Sequence, residues 1–72
     1  MTRLEEFMTR NGVKPLHLAK KSGVSRQHLL RVRKGIADPA RPTIKALTMA
    51  MCRLLGRDVH ASDLFDLGDD PR

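Results

Sequence analysis

The 72-residue chain has no tryptophan and no tyrosine, and Phe7 and Phe65 are its only aromatic residues. Leucine, valine, isoleucine and methionine must therefore fill the interior, a composition that favours helices over a sheet. Cys52 is the single cysteine, which excludes an intrachain disulfide. No apolar run is long enough to cross a membrane or to act as a signal sequence, so a soluble cytoplasmic protein is expected. His17, His28 and His60 lack the HExxH spacing, and with one cysteine they cannot make the usual structural zinc set. There is neither a glycine-rich phosphate loop nor a paired-carboxylate pocket, and the chain is small for an enclosed active site. The expectation is no enzyme, no metal, no cofactor and no small-molecule ligand. A chain of this length makes one domain and buries only about 60% of its unfolded surface, so its core must be compact and locally connected.

Acidic side chains are also missing where they would matter most. Residues 14–45 carry nine of the fourteen Lys and Arg residues against one acid, Asp38. Residues 58–70 reverse the order, with Asp58, Asp63, Asp66, Asp69 and Asp70 and neither Lys nor Arg among them. The formal net charge of +6 understates this separation. An extended anion such as a nucleic-acid backbone is the commonest reason for it, and a merely solvated basic face is the plain alternative.

What is present reads as short helices joined by short turns. Thr2 suits an N-cap with Glu5 closing a capping box, and Leu4, Phe7 and Met8 follow at i, i+3 and i+4, giving a helix that ends near Asn11-Gly12. Pro15 suits the first position of a second helix, on which Leu18, Ala19 and Ser22 share a side and Leu16 lies near its edge. Gly23 stops it. Ser25 caps a third helix running to Lys34, and Gly35 ends that one in a left-handed conformation. Two close prolines make Asp38-Pro39-Ala40-Arg41-Pro42 a loop, after which Thr43 caps a fourth helix with Ile44, Leu47, Thr48, Met51 and Leu55 on one face. Gly56 ends it, and a brief turn around residues 61–65 folds Leu64 and Phe65 back as a lid. The domain then occupies residues 1–67, followed by an acidic tail at residues 68–72 that is expected to fray.

The second and third helices, joined by a short glycine-containing turn, have the outline of a helix-turn-helix. Ala19 lets the next helix approach closely, Val24 plugs the turn, and Leu29 and Val32 anchor the third helix. With Gly23-Val24-Ser25 and Leu29-x-x-Val32-x-x-Gly35, these residues resemble the Cro and lambda-repressor-like (Xre) family of DNA-binding domains. The later Leu54-Leu55-Gly56, Val59 and Asp63-Leu64-Phe65 are similar to that family's closing segment. The resemblance covers about Leu4 to Phe65. It implies an all-α, compact five-helix bundle that docks its third helix in the DNA major groove, commonly as a dimer. The chain departs from the family pattern at three places. Pro15 stands where a phosphate-contacting glutamine is frequent, with Lys14 beside it as a substitute. The segment between Gly56 and Phe65 is slightly longer. Leu30 replaces a residue that is usually polar.

On a helix at about 100° per residue, Arg26, Gln27, Leu30, Arg31 and Lys34 fall on one arc and Leu29 and Val32 on the other. Arg26, Gln27 and Arg31 are the expected base readers, because arginine's planar fork matches guanine N7 and O6 and glutamine matches adenine N6 and N7. Leu30 would meet a thymine methyl, or is an ordinary exposed leucine. Lys14, Ser25, Arg33, Lys34, Arg41, Thr43 and Lys45 are the expected phosphate contacts, with the positive end of the fourth helix nearby.

The expected partner is double-stranded DNA carrying a palindromic operator, bound by a homodimer whose half-sites lie about 10 base pairs, or a multiple of that, apart. A chain with no room for an effector domain would act as a repressor by occluding its operator. Met49, Cys52 and residues 57–65 are the candidate dimer surface. An antitoxin or other protein-interaction module with secondary DNA binding is the alternative, since a fold does not fix a function. RNA is disfavoured because the basic region offers no aromatic ring for bases to stack on.

Overall fold

The first helix begins where a threonine hydroxyl can satisfy one of the backbone N–H groups that every helix start leaves unpaired. In the computed structural model, which describes residues 2–65, Thr2 Oγ1 accepts from the Glu5 N–H at 3.1 Å, and α1 runs Arg3–Asn11. Four more helices follow, α2 at Pro15–Ser22, α3 at Arg26–Arg33, α4 at Arg41–Leu55 and α5 at Ala61–Leu64. The described residues hold no strand. The boundary of the domain at residue 67 and the acidic tail at residues 68–72 lie outside them.

Glycine stops the helices where expected. Gly12, Gly23 and Gly56 each close a helix in the left-handed region, and Gly35 does so one residue beyond the Lys34 cap of α3. Two features differ from the expectation. Glu5 is not seen closing a capping box, because its carboxylate is turned toward α3. The fourth helix starts earlier than Thr43: Ala40 is its N-cap, and Arg41 and Pro42 lie in its first turn. Pro42 fits there because its missing N–H would have had no partner in the first turn, so the second proline belongs to the helix and not to the loop.

Packing follows the apolar faces. α2 lies against α4 and α3, and α5 lies against α1 and α4. Leu4 and Met8 of α1, Leu18 and Ala19 of α2, Leu29 and Val32 of α3, and Leu47, Ala50 and Met51 of α4 form one buried cluster. Val59 and Leu64 complete it from the last segment, while Phe7, Val24 and Phe65 pack against it half-buried. Leu64 is thus inside the core and Phe65 at its edge. Among the described residues no polar or charged side chain is buried.

Arg57 ties the α4–α5 connection back to α1. Its guanidinium lies 5.7 Å from the Phe7 ring centroid and donates to Asn11 Oδ1 at 3.1 Å, while Arg3 donates to the Ser62 carbonyl at 3.1 Å. These contacts spend two arginines on holding the bundle closed.

Two of the glycines should respond differently to alanine. At Gly23, φ is +78° and no atom of the described residues lies within 4 Å of an added Cβ, so Gly23→Ala meets backbone strain, about 1–2 kcal/mol. At Gly35, φ is +76° and the new Cβ would also sit 3.3 Å from Thr2 Cγ2. Thr2 cannot easily give way, because its hydroxyl is hydrogen-bonded on both sides. Denaturant titration should therefore show Gly35→Ala costing more than Gly23→Ala.

Candidate nucleic-acid interface

The turn between α2 and α3 is built from small side chains and their hydroxyls. Ser22 Oγ donates to the Ala19 carbonyl at 3.3 Å and accepts from the Val24 N–H at 3.2 Å, while the Gly23 N–H bonds the Ala19 carbonyl at 2.9 Å. Ser25 Oγ then accepts from the His28 N–H at 3.1 Å and starts α3. Its hydroxyl oxygen is therefore occupied at the helix end, although the residue itself is exposed.

α3 has two unlike sides. Leu29 and Val32 are buried, and they fix the helix against the bundle. Arg26, Gln27, Leu30, Arg31 and Lys34 are exposed on the other side. Leu30 keeps 46% of its surface in solvent, as an apolar residue among cations. A groove of about 640 Å³ runs between this side of α3 and the start of α2, lined by Pro15, Leu16, Arg26, Gln27, Leu29, Leu30 and Arg33. Leu16, read from its position as an edge-of-core residue, is instead 43% exposed and forms one wall of the groove. Three leucines from two helices, of which Leu16 and Leu30 are exposed, thus line the same cationic groove, which Arg31 and Lys34 do not.

The expected phosphate contacts are dispersed. Arg41 and Lys45 are exposed at the start of α4, close to the end of α3, since Ile44 shares a small cleft with Val32 and Gly35. Thr43 is half-buried inside the first turn of α4 and is not its cap. Ala40 offers no side-chain cap, so the first N–H groups of α4 accompany these cations. Lys14 is exposed beside His17 and near Leu54 and Leu55, at the opposite end of α4, about 20 Å away along a helix of this length.

Arg33 departs most from its expected place. Its side chain is only 20% exposed, and Nη2 pairs with Glu5 Oε2 at 3.3 Å. Lys34 Nζ approaches the same oxygen at 3.7 Å. Nothing in the spacing of the sequence pointed to Glu5, because the contact arises only when α1 comes up against the end of α3.

Of the candidate dimer residues, Met49 is 47% exposed, whereas Cys52 is half-buried with Sγ bridging the Val59 N–H at 3.2 Å and its carbonyl at 3.4 Å. Ile36, at 68%, is the most exposed large apolar residue described and was not singled out by the sequence pattern. Among the described residues no three His, Cys, Asp or Glu side chains gather in a set able to hold a metal ion, and no helix is long and apolar enough to cross a membrane. No protein-family model, curated protein or solved structure matches this chain.

Proposed function

We propose that the protein is a sequence-specific double-stranded DNA-binding regulator of the lambda-repressor-like helix-turn-helix type, with α3 as its reading helix. The observation that carries this reading is the division of α3, which buries Leu29 and Val32 and exposes Arg26, Gln27, Leu30 and Arg31 along its full length. A short helix anchored from behind and cationic in front matches the width of a major groove, about 12 Å. Arg26 and Gln27 stand in its first turn, the part that reaches furthest into the groove in this mode of docking. Lys14, Arg41 and Lys45 supply charge on either side along the chain, where phosphate contacts set register without reading sequence. Binding as a homodimer to a palindromic operator, with repression by occlusion, completes the proposal.

Selection of bound duplexes from a random pool tests it, run with the native chain and with Arg31→Ala. The native chain should recover a preferred half-site. Arg31→Ala should lose preference at one base step by roughly 10- to 100-fold, the discrimination that a bidentate arginine–guanine pair provides. Uniform weakening across all sequences would make Arg31 a phosphate contact instead.

The groove favours one second reading. Pro15, Leu16, Leu29 and Leu30 give it an apolar lining that a protein segment would also suit, as in an antitoxin that holds a partner there. A stoichiometric protein partner, together with no recovered half-site in the selection, would favour that reading.

A further inference from the structure

We propose that Glu5 is a built-in substitute for a backbone phosphate, which withholds Arg33 and Lys34 from the nucleic acid and limits sequence-independent attraction. The inference rests on the duplex-binding reading above and concerns how strongly that face binds. Its ligand chemistry is the phosphodiester.

The geometry is specific. Both ion pairs seen among the described residues end on one atom, Glu5 Oε2, with Arg33 Nη2 at 3.3 Å and Lys34 Nζ at 3.7 Å. The carboxylate side chain is 17% exposed, so it is neither free in solvent nor sealed in the core. Arg33 also lines the groove beside Arg26, Gln27 and Leu30, so Glu5 pairs with a cation of the face offered to the duplex. Without Glu5, the end of α3 would present two positive charges; with it, the three side chains sum to one.

The Arg33–Glu5 contact of 3.3 Å is longer than the 2.7–2.9 Å usual for a charge-assisted hydrogen bond, and the Arg33 Nε is buried with no acceptor among the described residues. The backbone beneath it is fixed separately, since Thr2 Oγ1 donates to the Arg33 carbonyl at 2.6 Å. A change of partner at the guanidinium therefore requires side-chain motion alone, and α3 stays seated while it occurs. Such an arrangement separates position from charge: the hydroxyl of Thr2 holds the helix end, and the carboxylate of Glu5 governs how much positive potential that end presents.

Fluorescence anisotropy with a random-sequence duplex, titrated across salt, tests the proposal. Glu5→Gln keeps the side-chain shape and an oxygen acceptor for Arg33 while removing the charge. Its plot of log affinity against log salt should be steeper by about one, since each phosphate neutralised contributes about 0.9, and its affinity at low salt should be several-fold higher than that of the native chain. An equal or shallower slope in a variant whose circular dichroism melt shows it folded overturns the proposal. Lys34→Gln supplies a second measurement. It should change the slope less in the native background than in the Glu5→Gln background, where the lysine is released from the carboxylate, and equal changes in the two backgrounds overturn the proposal. A native chain with a slope near zero would refute the duplex reading itself, and that result is visible before any variant is made.

Discussion

Raising the salt concentration from about 50 to about 200 mM is expected to weaken duplex binding roughly a thousandfold. The figure follows from the charge on the exposed face. Of the proposed contacts, Lys14, Arg41 and Lys45 are exposed, Lys34 contributes a reduced share, and Arg26 and Arg31 add their charge from α3. If about six phosphates are neutralised, their condensed counterions are released and the slope of log affinity against log salt is about −5. A fourfold rise in salt then multiplies the dissociation constant by about a thousand. Anisotropy titrations at several salt concentrations measure the slope directly. A value near zero would remove the electrostatic basis of the proposed function, whatever the selection experiment returned.

Leu47→Ala should have the largest effect on stability. Leu47 is fully buried in the middle of α4, the helix against which both α2 and α5 pack. Truncating a buried leucine costs about 2–5 kcal/mol, combining lost burial with the cavity left behind. A domain of this size holds only about 5–10 kcal/mol in total, so the variant should lose a large part of its stability. The melting temperature should fall by roughly 10–30 °C, given about 4–8 °C per kcal/mol for domains of 60–100 residues. Leu30→Ala, at an exposed site, should stay within about 0.5 kcal/mol of the native chain. Equal effects at the two positions would contradict the packing described.

Local chemistry made much of the fold legible. Thr2 and Ser25 are caps because their side-chain oxygens reach unpaired N–H groups, and Gly12, Gly23, Gly35 and Gly56 mark helix ends because they accept left-handed backbone angles. The division of α3 was legible for the same reason, since a period of 3.6 residues separates Leu29 and Val32 from Arg26, Gln27 and Arg31. Pro42 was harder to place, because proline ends a helix from within yet is tolerated in its first turn, and the sequence around residues 38–43 is compatible with either.

What was not legible depends on the meeting of helices distant in the chain. Arg33 reads as one more cation beside the groove until α1 brings Glu5 to it across 28 positions. Leu16 reads as a packing residue at the edge of the buried side of α2, until the approach of α2 to α3 makes it the wall of a groove. The periodicity of a single helix gives the direction of a side chain but not its neighbour. The proposed base readers could therefore be chosen from the sequence, whereas the balance of charge around them could not.

The single hydroxyl of Thr2 spans two elements that are otherwise far apart in the chain, serving an amide at the entrance of α1 and a carbonyl at the exit of α3. Fraying at one of these ends is consequently felt at the other, and the two form a single cooperative joint. A polypeptide with so small an interior thereby gains coherence from polar stitching at its rim, and the proposed reading helix owes part of its rigidity to the second residue of the sequence.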